Sequence, residues 1–208
     1  MARSPAAIRA TCQTHAVFIS HVDSALEKLL RTRLPLPEEL GDISFDAPSG
    51  TWSAQLSRIT VNLFLYDVQR STMPSAPAVR TSGDGAAQRR RAQPMIQLGY
   101  LVSAWAGSPR DEHQLLGDVV SIIAGVEAIP SDLLPDGLSS SVRLTMGDGD
   151  NRVREIWSAS GGSLKASFSL MATVAADTFD WELVPPLVER VEAMAKRMGG
   201  RMGERRHA

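Results

Sequence analysis

The chain has 208 residues and 43% hydrophobic side chains, the size and apolar content of one globular domain with a full core. A formal net charge of -1 supplies no whole-chain field toward nucleic acid or an anionic membrane, so any such contact has to be local. No stretch approaches the roughly 18 consecutive apolar residues of a membrane span, and Met1-Ala2-Arg3-Ser4-Pro5 lacks an apolar signal core, so a cytoplasmic protein with no membrane partner is expected.

In chain order, Ile8, Cys12, Ile19, Val22, Leu26, Leu29 and Leu30 recur at helical spacing and predict one amphipathic helix over 5–33, stopped by Pro35 and Pro37. Cys12 is the single cysteine; it cannot form an internal disulfide, and at that spacing it reads as a small buried apolar side chain. A turn-rich stretch follows over 38–53. The run 59–68 is β-rich, with Ile59, Val61, Leu63 and Leu65 on one face and Phe64, Tyr66 and Val68 on the other, which predicts a central strand covered on both sides. From 69 to 93 the pattern gives way to Ser, Pro, Ala, Gly and Arg, the composition of a long exposed loop. Residues 95–105 predict a second central strand, antiparallel to the first, with that loop as their connection.

Ser108-Pro109-Arg110-Asp111 combines a capping serine, a proline fit for the first helical position and an acid opposing the helix dipole. The helix continues through Leu115, Leu116, Val119, Val120, Ile122 and Ile123. A third strand is expected at 142–146, then a turn at 147–151, a short helix with Val153, Ile156 and Trp157 on one face, and a stop at Gly161-Gly162. A fourth strand, 164–176, places Leu164, Ala166, Phe168 and Leu170 on one face and Lys165, Ser167 and Ser169 on the other, the pattern of a half-exposed strand. Pro185-Pro186 opens a last helix with Leu187, Val188, Val191 and Met194, closed by Gly199-Gly200 before an Arg-rich, mobile tail. The expected fold is α/β (α+β): a mixed, mainly antiparallel central sheet of about four strands flanked by helices. It occupies 1–180 with an exposed loop at about 69–94, and 181–208 add the C-terminal helix and basic tail.

Chemistry-bearing patterns are sparse. The four histidines are scattered, and Asp111-Glu112-His113 are consecutive helical residues whose side chains diverge, so neither predicts a metal site. A calcium loop starting at Asp148 would place Arg152 and Ala159 where oxygen ligands are required. No nucleophile elbow, phosphate loop or dinucleotide fingerprint occurs, so no catalytic residue, metal or cofactor is assigned. Two basic clusters stand out, Arg89-Arg90-Arg91 in the loop and a tail that includes Arg197 and Arg201; neither is interleaved with aromatics that could stack on bases. Trp105 and Trp157 end apolar elements and read as core anchors. Trp52 and Trp181 are flanked by turn residues and read as interface residues, so the candidate interface comprises Arg89, Arg90, Arg91, Trp52, Trp181, Arg197 and Arg201.

Taken in order, Val61-Asn62-Leu63-Phe64-Leu65-Tyr66-Asp67-Val68, Gly99-Tyr100-Leu101-Val102-Ser103-Ala104-Trp105-Ala106, Glu112-His113-Gln114-Leu115-Leu116-Gly117 and Arg154-Glu155-Ile156-Trp157-Ser158-Ala159 give the chain a family likeness. It resembles the tail-terminator or cap proteins of phage-tail-like contractile injection systems, including those of the antifeeding prophage and the Photorhabdus virulence cassettes. The resemblance runs over roughly 8–176 and rests on the order of these segments. It implies a non-enzymatic subunit that forms a hexameric ring on the end of an inner tube and sheath, with itself, tube protein and sheath protein as partners, and stops their growth. Gln69-Arg70-Ser71-Thr72 departs from the family pattern, the loop is longer and richer in arginine, and the segment after Asp177 has no family counterpart in this reading. A second reading, a nucleic-acid-binding or regulatory module using the Arg-rich loop and tail, stays open, as does a weaker third, an enzyme site assembled across the fold. Salt-dependent binding to arbitrary duplex DNA separates the second from the first.

Overall fold

The computed structural model describes residues 18–81, 83, 85–147 and 152–184. Helix α1, Phe18–Arg33, buries Val22, Ala25, Leu26, Leu29 and Leu30, the stripe that its periodicity predicts. Arg31 and Arg33 lie in its last turn, where the helix dipole favours cations. Ile8 and Cys12, at the start of the expected helix, lie outside the described residues, as do the helix expected from Pro185, the tail with Arg197 and Arg201, and the loop acids Asp148 and Asp150.

Strand β1 is Gly41–Ser44, helix α2 is Gly50–Ser53, and strand β2 is Ile59–Arg70. The stretch 38–53 is therefore not turn alone. β1 pairs parallel to the start of β2, Gly41 opposite Ile59 through Ser44 opposite Asn62. Its Gly-Asp-Ile-Ser sequence carries almost no intrinsic strand signal, so a non-local pairing rather than local preference makes it a strand. Strands β3, Ala78–Thr81, and β4, Ala87–Arg90, form a hairpin inside the segment expected to be loop. Strand β5, Met95–Trp105, then returns antiparallel to β2, as expected.

Helix α3, Pro109–Ala124, starts where its signature predicts: the Ser108 hydroxyl accepts from the Asp111 amide at 3.3 Å, and Leu115, Val119 and Ile123 are buried. Strand β6 is Arg143–Met146, helix α4 is Arg152–Ser160, strand β7 is Ser167–Ala175 and strand β8 is Glu182–Leu183. The main sheet has five strands in the order β1-β2-β5-β7-β6, one more than expected because of β1. A separate three-stranded sheet, β3-β4-β8, makes an arm that leaves the main sheet between β2 and β5.

One face of the main sheet carries α1 and α3 over the larger core, which includes Val61, Leu63, Leu98, Tyr100, Val102, Leu170, Ala172 and Val174. The other face carries a smaller cluster built on Leu101, Trp105 and Trp157, with Trp52, Phe64, Tyr66, Val153 and Ile156 packed around it. Two details depart from simple alternation. The β2–β5 register shifts between Leu65 and Asp67, a β-bulge at Tyr66, so Val68 stands opposite Leu98 on the α1–α3 side instead of beside Phe64 and Tyr66. β7, expected to be half exposed, is interior to the sheet: Ser169 and Thr173 are only 8% and 4% exposed. Two of its polar side chains find partners on the face of the smaller cluster, the Ser167 hydroxyl accepting from Trp157 Nε1 of α4 at 3.0 Å and the Ser169 hydroxyl bonding the Tyr66 phenol of β2 at 2.6 Å. Gly99 makes room for that phenol, since a Cβ there would lie 3.1 Å from the Tyr66 ring.

Candidate assembly surface

The arm collects most of the candidate interface residues. In its register Ala78 faces Arg90, Val79 faces Arg89, Arg80 faces Gln88, Gln88 faces Leu183 and Arg89 faces Glu182. Cross-strand partners share a face, so Val79, Arg89 and Glu182 lie on one side of the arm and Arg80, Gln88, Arg90 and Leu183 on the other. On the second side two guanidinium groups lie over the Trp181 ring, Arg80 at 4.1 Å and Arg90 at 4.9 Å from its centroid. Indole is the best of the aromatic faces for a cation, and arginine is the more frequent partner. Trp181 is thereby half-buried and closes the arm instead of standing free at an edge.

Two of the three consecutive arginines are spent in the same way. Arg90 reaches Asp177 at 3.4 Å, with its side chain only 15% exposed, and Asp177 also accepts from the Ser139 amide at 3.0 Å and from the Ser139 hydroxyl. Asp177 holds a left-handed backbone, φ 47, a conformation aspartate tolerates better than most residues. Arg91 lies 4.4 Å over the Phe179 ring and 3.4 Å from Glu182. Gln93 is buried and pairs its amide with both backbone groups of Phe179, donating at 2.6 Å and accepting at 2.9 Å. These contacts lash 177–182 to the arm root. The sequence signals that could have found them are the β-capable Trp-Glu-Leu-Val at 181–184 and the Arg-x-Gln spacing of Arg91 and Gln93.

The arm's other side is open. Val79 is 75% exposed, Arg89 beside it is exposed, and among the described residues no ion pair holds Arg89. Trp52 lies elsewhere, on the α2–α4 side of the main sheet. Its ring meets Trp105 edge-on at 5.2 Å, and its Nε1 donates to Asp46 at 3.2 Å. It is half-buried, so it belongs to the smaller core and shows only part of its ring at the surface. Trp105 and Trp157 are core anchors, 8% and 2% exposed.

A cleft of about 430 Å³ opens beside Trp105, lined by residues that include Ser53, Arg58, Glu112 and Lys165. The Lys165 ammonium bonds the Glu112 carboxylate and lies 4.4 Å over the Trp105 ring, so the charges in the cleft already satisfy each other. No histidine or cysteine lines it. Among the described residues no three His, Cys, Asp or Glu side chains converge to hold a metal ion, and no helix is long and apolar enough to cross a membrane.

Comparison with known proteins decides the family. Residues 21–190 match the model described as the Pvc16 N-terminal domain. The chain belongs to that family. The Pvc16-type fold recurs in two solved structures. One is the sheath/tube terminator of PVC, an extracellular contractile injection system, in its extended state, at 18% identity and TM-score 0.56 over 90% of this chain and 65% of that one. The other is the tube-terminating cap of the anti-feeding prophage, at 18% identity and TM-score 0.54 over 84% of this chain and 59% of that one. This chain thus spans less than two thirds of either solved protein. None of the curated proteins matches it. The resemblance expected from the sequence is correct, and the family match runs over 21–190.

Proposed function

We propose that this Pvc16-type chain is a structural cap subunit, which ends the growth of the inner tube and sheath of a contractile injection particle by seating on their last ring. The observation that carries this reading is the family match over 21–190 together with a shared fold in two proteins described as a sheath/tube terminator and a tube-terminating cap. The reading includes self-association into a hexameric ring, contacts to tube and sheath proteins, and no catalytic turnover. It places the chain in the cytoplasm while the particle is built. The arrangement of the molecule supports it: the two apolar layers are closed on the main sheet, while the arm spends its arginines and aromatics on holding a surface away from that core. A nucleic-acid role draws no support from the arginine triplet, because Arg90 and Arg91 are neutralised by Asp177 and Glu182.

The test is to express the tagged chain with its neighbouring tube and sheath proteins and locate the tag by electron microscopy. The reading expects label at one end of each particle, and particles of uncontrolled length when the chain is omitted. Label along the whole length, or unchanged particles without the chain, would refute it.

A further inference from the structure

Two exposed corners of the molecule carry opposite charge around an exposed aliphatic side chain. The first is the open side of the arm, where Val79 is 75% exposed opposite Arg89, a cation that no ion pair holds among the described residues, while Arg91 on the same side is paired with Glu182. The second precedes β1, where Leu40 is 62% exposed directly after the exposed Glu38 and Glu39. A tight turn fixes that corner, since the amides of Leu40 and Gly41 both donate to the Pro37 carbonyl, at 3.0 and 3.1 Å. The cations nearest to it are already engaged. Arg58 reaches Asp42 at 2.9 Å and the Glu38 carbonyl, and Arg31 donates to the Gly41 carbonyl at 2.8 Å. Among the described residues no ion pair holds the Glu38 or Glu39 carboxylate.

The two corners lie at opposite ends of one element. β1 aligns with the first residues of β2, and the arm departs after its last residue, Arg70. At about 3.3 Å per residue, the first and last of its twelve residues, about eleven steps apart, lie roughly 36 Å from each other. A ring needs a heterologous contact, in which two different and mutually complementary patches on well-separated parts of the subunit meet head to tail. We infer that the Val79–Arg89 face of the arm in one copy docks on the Glu38–Glu39–Leu40 corner of the next copy. Another exposed acidic pair fits less well: Asp132 and Asp136 flank Leu133 and Leu134, which are half-buried and offer no apolar seat. Leu164 is 67% exposed, but Lys165 beside it is already paired with Glu112, so this site offers the arm no open carboxylate. The contact rests on the ring proposed above and states which surfaces close it.

Charge reversal tests it. R89E leaves a chain with a sound corner and a spoiled arm, and E38R with E39R leaves the reverse. Each variant alone is expected to lose the oligomer in light scattering, with association weakened at least tenfold, while keeping the wild-type circular dichroism. An equimolar mixture is expected to restore rings of alternating variants, because each arm then meets an opposite charge. Cross-linking serves if a variant fails to fold: with Cys12→Ser, the pair L40C and V79C treated with a short bismaleimide should give a ladder of multimers, whereas either cysteine alone should not. A wild-type ring with no ladder, or with both reversed variants still assembling, overturns this contact and leaves the ring standing. A wild-type chain monomeric both free and on its tube removes the ring itself.

Discussion

Tyr100 and Asp23 form a polar contact inside the larger core, and their removal can be worked through. The Tyr100 side chain is fully buried on β5, and its phenol donates to Asp23 Oδ1 of α1 at 2.7 Å. Burial pushes the Asp23 carboxyl above its usual range, partly offset by this hydrogen bond. Burial first, then the neighbouring carboxylate, pushes the phenol far above its ordinary value, so it stays a neutral donor. Y100F keeps the ring and its packing and deletes only the donor. A hydrogen bond to a charged acceptor is worth about 1.5–3 kcal/mol; Asp23 is only partly buried, so the lower end, about 1.5 kcal/mol, is expected near neutral pH. The sign with pH follows from the raised carboxyl. A group that binds its proton more tightly folded than unfolded contributes most below the unfolded value of 3.8, and that contribution is lost as pH rises through the folded value. Y100F, lacking the offsetting bond, should lose this contribution over a window extending to higher pH. D23N retains an acceptor and cannot ionise, so its stability should equal or exceed wild type near neutral pH and lose this pH dependence. Urea unfolding between about pH 4 and pH 8 measures all three chains. Y100F as stable as wild type near neutral pH, or D23N losing more than about 1 kcal/mol there, would refute the account.

Packing on the opposite face of the sheet gives further expectations. W157A should cost about 3–5 kcal/mol by chemical denaturation, since it empties the centre of the smaller cluster, and W157F should cost less while freeing the Ser167 hydroxyl. G162A puts a Cβ 2.4 Å from the Pro48 carbonyl oxygen, so backbone has to move and about 1–3 kcal/mol of thermal stability should be lost. Replacing 75–92 by a short Gly-Ser turn removes β3 and β4 but no member of either core, so a cooperative melt should survive while attachment to tube and sheath falls; loss of the melt would make the arm structural.

The elements that could be read from the sequence are those whose local pattern and final environment agree. α1, α3, α4, β2 and β5 each carry enough apolar residues at one period to name their partner face, and Ser108-Pro109 fixes the start of α3 to the residue. What stayed hidden depends on pairing between distant segments. β1 is a strand because β2 lies beside it, and β8 is a strand because β4 does. The bulge at Tyr66 is equally non-local, since it exists only in the register with β5, yet it decides on which face Val68 stands.

The same limit applied to the surface. Arg89, Arg90 and Arg91 look equivalent in sequence, whereas strand alternation sends Arg90 against Trp181 and leaves Arg89 open, and Asp177 and Glu182 then absorb two of the three charges. A basic cluster therefore indicates a binding surface only after its internal partners have been subtracted. What is left of the triplet after that subtraction is one open cation beside an exposed valine, at the far end of β2 from a pair of open carboxylates beside an exposed leucine. A closed ring needs two unlike patches set apart on each copy, and the fold separates these two by the length of its longest strand.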